Sequence, residues 1–82
     1  MEIVLAKPAV KALQRMPKNE AQRIRGKIEQ LATQPEALAN NIKKLTGIDA
    51  YRLRVGDWRV IYTEDGKILS ILNIAARGSA YG

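Results

Sequence analysis

Hydrophobic and polar positions alternate most regularly in "YRLRVGDWRVIY", residues 51 to 62. Tyr51, Leu53 and Val55 fall on one parity, Arg52 and Arg54 on the other, as in a strand with one face buried. Gly56-Asp57 reads as a two-residue hairpin loop. That loop predicts a register in which Val55 faces Trp58, Leu53 faces Val60 and Tyr51 faces Tyr62. The opposite face then sets Arg54 against Arg59 and Arg52 against Ile61. Upstream, "EIVLA" (2–6) predicts a short strand, and Pro8 suits the first turn of a helix with Ala9, Val10, Ala12 and Leu13 on its apolar side. "MPKN" (16–19) breaks that helix. Asn19 is placed to cap a second helix, with Glu20 in its first turn. Ile24, Ile28 and Leu31 recur at i, i+4 and i+7 along it, and Pro35 ends it. Gly26 weakens this helix unless another segment needs to approach there.

"EALANNIKKLTGID" (36–49) carries no strong period and reads as a connection, with Lys43 and Lys44 just before the sheet. Asp65-Gly66 signals a second hairpin turn. "KILSILNIAA" (67–76) is apolar on both parities, which predicts a strand that is central or covered on both faces. The expected fold class is α+β: an N-terminal strand, a helical hairpin, then a three-stranded antiparallel meander with the helices on one face of the sheet. The 82 residues fit one domain spanning 1–82.

Composition narrows the chemistry. There is no cysteine and no histidine. That removes disulfides, thiolate catalysis, the usual zinc sites and the commonest general base. Ser70 and Ser79 therefore lack the partner a serine hydrolase needs. Gly47, Gly56, Gly66 and Gly78 are isolated, so no phosphate-binding glycine loop is present. Asp49, Asp57, Glu64 and Asp65 fall in or beside turns and serve turn geometry. No metal or other cofactor is expected. No signal peptide or membrane span is visible, so a cytoplasmic protein with no membrane partner is expected.

Charge changes the picture most. Fourteen Lys and Arg against eight Asp and Glu give +6, which favours a polyanionic partner. Arg15, Lys18, Arg23, Arg25 and Lys27 on the helices read first as a solvated face, with a nucleic-acid or partner footprint as the second reading. The sheet arginines differ, because like charges set opposite each other on a sheet repel. An anion between Arg54 and Arg59 would remove that conflict, and the planar fork of arginine suits phosphate.

"KKLTGIDAYRLRVGDWRVIY" together with "ILNIAARGSAYG" resembles the RelE/ParE superfamily of toxins from type II toxin–antitoxin systems. The resemblance runs over the full chain. It implies either of two activities: ribosome-dependent mRNA cleavage in the RelE-like branch, or inhibition of DNA gyrase in the ParE-like branch. A non-catalytic RNA-binding relative is a third possibility. The RelE-like pattern places basic residues on two strands and an arginine and a tyrosine near the C-terminus. Arg52 and Arg54 occupy the first pair of positions, Arg59 the next, and Arg77 and Tyr81 the last two. The resemblance thus implies catalytic roles for Arg59, Arg77 and Tyr81, and RNA or phosphate binding by Arg52, Arg54, Lys43 and Lys44. It implies mRNA and the ribosome as partners, and an acidic cognate antitoxin. Two departures stand out. Arginine replaces the lysine of the best-known pattern at 52 and 54, and Ala76 stands where many relatives carry histidine.

Overall fold

The computed structural model describes residues 1–78. Its elements are β1 (Glu2–Leu5), α1 (Lys7–Arg15), α2 (Lys18–Thr33), a 3-10 helix (Pro35–Asn41), β2 (Ile42–Lys44), β3 (Tyr51–Val55), β4 (Trp58–Glu64) and β5 (Ile68–Ala76). The strands form one mixed sheet in the order β1-β5-β4-β3-β2. β1 runs parallel to β5, and all the other pairs are antiparallel.

The meander expected from the sequence is therefore the centre of a larger sheet. The N-terminal strand closes one side of it. Residues 42–44, read as part of a connection, add the other edge. Three residues are too few to show a period, and Lys43 and Lys44 look like loop residues in isolation. Pairing against β3 supplies the backbone partners that make them a strand. α2 begins at Lys18, with Pro17 rather than Asn19 at the N-cap position and no side-chain cap. No described helix is long and apolar enough to cross a membrane.

The core lies between the helices and one face of the sheet. Ala9 and Leu13 of α1 and Ile24, Ile28 and Leu31 of α2 meet Leu53, Val55, Val60, Tyr62, Leu69, Ile71 and Ile74. The β3–β4 register is the one the sequence predicts, Arg54 opposite Arg59 included. The second hairpin differs by one residue. Its tip is Gly66-Lys67, flanked by Asp65 and Ile68, with Asp65 N–H donating to the Ile68 carbonyl at 3.3 Å. The Asp65 carboxylate accepts from the Lys67 and Ile68 amides at 2.9 and 2.8 Å. Asp65 thus acts as the side-chain clasp of the turn rather than as one of its two tip residues.

β5 explains its own mixed pattern. Ile61 pairs with Asn73 and Tyr62 pairs with Ile71, so Leu72 is an extra residue at a β-bulge. Leu69 and Ile71 face the core before the bulge, and Ile74 faces it afterwards. β5 is an interior strand between β1 and β4, as one half of the expectation had it, but its apolar residues on both parities do not mean cover on both faces. Outside the core face, Ile68 and Leu72 remain exposed.

Candidate nucleic-acid interface

The outer face of the sheet carries the arginines. Register aligns Lys43, Arg52, Ile61 and Asn73 in one row across β2, β3, β4 and β5. A second row runs Arg54, Arg59, Ala75. Ile61 is completely buried yet stands outside the helix-side core cluster, so the polar face is built around one sealed apolar residue. Lys43, Arg52, Arg54 and Arg59 line a shallow cavity of about 230 Å³ together with Asn40, Asn41 and Ile42. Four cations and two carboxamides with no lining carboxylate give the cavity a positive potential, which favours an anion over a cation there. The sequence reading missed Asn40 and Asn41. They come from the 3-10 helix, whose turn aims the chain back along the sheet edge. "NN" directly before "IKK" is a weak signal, visible only once that segment is known to be a strand.

Arg59 is positioned more tightly than its sequence context indicates. Its Nη1 donates to the carbonyls of Gly56 and Trp58, both at 3.0 Å. The guanidinium therefore folds back over its own hairpin tip. This partly offsets the repulsion from Arg54 and gives Arg59 a structural duty besides any contact with an anion. Gly56 lies at φ +58°, a conformation that suits glycine at such a tip. On the helix side the Arg23 guanidinium rests against it, with Nη1 3.0 Å from where a Cβ would sit. Trp58 Nε1 donates to the Glu20 carboxylate at 3.1 Å. α2 thus braces the tip that carries Arg59. Arg23 is exposed, as a solvated helix face requires, and helix–sheet packing also brings it to a turn more than thirty residues away in sequence.

Beyond the bulge in β5, Asn73 and Ala75 share the outer face, and the exposed Arg77 follows in the turn just past the strand. Its backbone N–H donates to the Asp57 carbonyl at 2.6 Å, which ties it to the same hairpin tip. Lys44 is set apart from the others. It pairs with Tyr51 on the helix-side parity, and its Nζ lies 3.8 Å from Asp49 in an exposed ion pair. A neighbouring cavity of about 410 Å³ along β2 still joins it to Lys43 and Arg52. Tyr81 lies outside the described residues. The structure thus gathers Arg52, Arg54, Arg59 and Lys43 at one site, sets the backbone of Arg77 at its hairpin rim and leaves Lys44 at its margin. Among the described residues, no three Asp, Glu, His or Cys side chains converge where a metal ion could be held.

Known proteins share this fold. A chain of the archaeal RelE–RelB complex from Pyrococcus horikoshii OT3 is 35% identical, with 96% of this chain and 97% of that chain covered and a TM-score of 0.79. A chain of the RelB–RelE antitoxin–toxin complex from Methanococcus jannaschii is 30% identical, with 95% and 94% covered and a TM-score of 0.72. The isolated E. coli RelE toxin, at 16% identity and a TM-score of 0.74 over 98% of this chain and 87% of that one, shares the fold. No curated protein matches the sequence. Residues 3–81 match the family described as ParE toxin of type II toxin–antitoxin system, parDE. On this sequence match and the structural likeness together, the chain belongs to the RelE/ParE superfamily and is a toxin of the type II toxin–antitoxin class.

Proposed function

We propose that this toxin is a ribosome-dependent, metal-independent mRNA endoribonuclease that inhibits translation. One observation carries the reading: Lys43, Arg52, Arg54 and Arg59 share a carboxylate-free cavity on an open sheet face. Such a face accepts a phosphodiester from solvent, as a strand of mRNA presents it.

In this reading the ribose 2′-oxygen attacks the neighbouring phosphorus. A P–O bond forms to the 2′-oxygen, and the bond to the 5′-oxygen breaks. One proton leaves the 2′-hydroxyl and one is delivered to the departing 5′-oxygen. Lys43, Arg52 and Arg54 hold the backbone. Arg59 and Arg77 offset the charge that grows on the phosphate. Arginine does not give up its proton, so the proton steps fall to other groups. Tyr81 is the proposed base and stacking group. Of the two lysines beside the site, Lys43 is the one that lines the arginine cavity. Ribosomal positioning of the mRNA completes the site, and an acidic antitoxin neutralises the +6 chain by covering its helices or the arginine face.

A second reading, gyrase inhibition by protein contact, is favoured by one observation: the matching family is the ParE toxins. Induction in cells, with transcripts and DNA supercoiling followed in parallel, separates the two. mRNA cut inside coding regions is the expected outcome. Arg54 is the position to vary, because Arg59 also holds the hairpin. Arg54→Gln should lower cleavage on programmed ribosomes by roughly 10²-fold through lost positioning, and leave the melting temperature level or slightly higher as the repulsion with Arg59 is relieved. Intact transcripts accompanied by gyrase-linked DNA breaks would replace this reading with the second.

A further inference from the structure

A second cationic group stands beside the sheet. Lys7, Lys11 and Arg15 recur every four residues on α1, so they share one face of the helix at a rise of about 6 Å per step. α1 contains no acidic residue. Among the described residues, the ion pair formed is Lys44–Asp49, and none of the three α1 cations has a carboxylate partner. Like charges so spaced repel.

These three side chains line a cavity of about 360 Å³ with Pro8, Asn73 and Ile74. Its floor arises from an interruption in the sheet. β1 pairs with β5 only as far as Ile71, so beyond the bulge the α1 side of β5 has no strand partner. There the Asn73 Oδ1 accepts from the Ile74 amide at 2.8 Å. That bond gives one backbone amide of this stretch a partner, engages the Asn73 carbonyl oxygen and leaves its Nδ2 to donate. The cavity then presents two ammonium groups, a guanidinium and a carboxamide N–H, with no lining carboxylate.

Asn73 also ends the row that starts at Lys43 and crosses the arginine face. Three interstrand steps of about 4.8 Å place it roughly 14 Å from Lys43. The α1 group is therefore the continuation of the arginine face past the edge of the sheet. We propose that Lys7, Lys11, Arg15 and Asn73 form a second phosphate-binding site, which holds the sugar–phosphate backbone of the RNA strand where it leaves the arginine face. An acidic helix fits this cavity less well. Helix-in-groove docking uses an apolar groove for anchors at i, i+3 and i+4, and here Pro8, Ala12 and Ile74 alone are apolar.

The proposal rests on the RNA-binding part of the function above and can be tested apart from cleavage. The full chain and the variant K7Q/K11Q/R15Q are titrated with a synthetic single-stranded RNA over a salt series. Three phosphate contacts on a single strand contribute about 2 to the slope of log K against log salt, so the variant should bind more weakly and lose about that much slope. R54Q should lose about 0.7 from its own site, and the two losses should add. The charge-keeping variant K7R/K11R should retain the full slope, which separates lost charge from lost fold. An unchanged slope in K7Q/K11Q/R15Q overturns the site while the arginine-face reading stands. An unchanged RNA slope with weakened binding to polyglutamate overturns it in favour of an acidic protein partner. RNA that is bound by the unmodified chain but not cut on ribosomes removes only the cleavage reading, and absence of RNA binding overturns both.

Discussion

Tyr62 shows how burial converts a surface-type residue into a pH-sensitive one. Its ring stacks on Tyr51 with centroids 5.5 Å apart, and the side chain is 4% exposed. Burial, then the charge of Glu64, then Tyr51 push its phenol up to about 12 from an ordinary 10.0. A raised acid favours the protonated form in the folded state. The stabilisation is complete below pH 10 and is lost as pH rises through 12. Two pH units correspond to about 3 kcal/mol at most. Unfolding free energy should therefore fall steeply between those values, and Tyr62→Phe should remove most of the fall. An equally steep loss in the variant would assign the alkaline transition to other groups. Asp65 has the opposite sign. Amide hydrogen bonds from Ile68 and Lys67 hold its carboxyl below the usual range, so protonation in acid loosens the β4–β5 turn.

Among the elements, α2 contains an avoidable weakness. Gly26 sits within Lys18–Thr33, is exposed, and a Cβ built on it meets no atom within 4 Å. No close approach requires glycine there. Gly26→Ala should add up to about 1 kcal/mol by limiting the unfolded chain and favouring the helix. That corresponds to a rise in melting temperature of roughly 4–8 °C. A fall would mean that a partner surface uses the missing side chain. β5 makes the contrary point about elements. Its bulge looks like a defect in alternation, yet it keeps Ile71 and Ile74 in the core together and turns Asn73 and Ala75 outward. One extra residue thus sets which chemistry shares a face.

For the whole molecule, charge is the dominant unbalanced term. The chain carries +6, and a single ion pair forms among the described residues. The arginine rows and the α1 row concentrate that charge on neighbouring surfaces. Self-repulsion lowers stability, and salt screens it over a Debye length of about 10 Å at 0.1 M. The melting temperature should therefore rise as chloride is added from low ionic strength. Inorganic phosphate at equal ionic strength should raise it further, because a bound anion stabilises only the folded state. A melting temperature that falls with salt would show that attractive pairs outweigh the clusters.

Much of this was open to reading from the chain alone, for definable reasons. The β3–β4 register and its opposed arginines follow from period-two alternation around a Gly-Asp loop, and α2 follows from i, i+4, i+7 spacing. These signals are local, since the residues that specify the structure are also the ones that adopt it. The family could be read as well, because a long stretch of matching residues needs no geometry. Position in space could not be read. The parallel closure of β1 on β5 joins segments more than sixty residues apart, and no local pattern encodes it. Lys43 enters the sheet because β3 offers it backbone partners, and Asn40 and Asn41 reach the cavity through the turn before it. Arg23 meets Gly56, Arg59 curls onto the hairpin carbonyls, and Asn73 meets α1 through packing alone. The chain alone set which residue types and local strands could build a basic face. Long-range pairing and the bulge decided which cations stand together on it, because side-chain direction depends on register and register is set between strands.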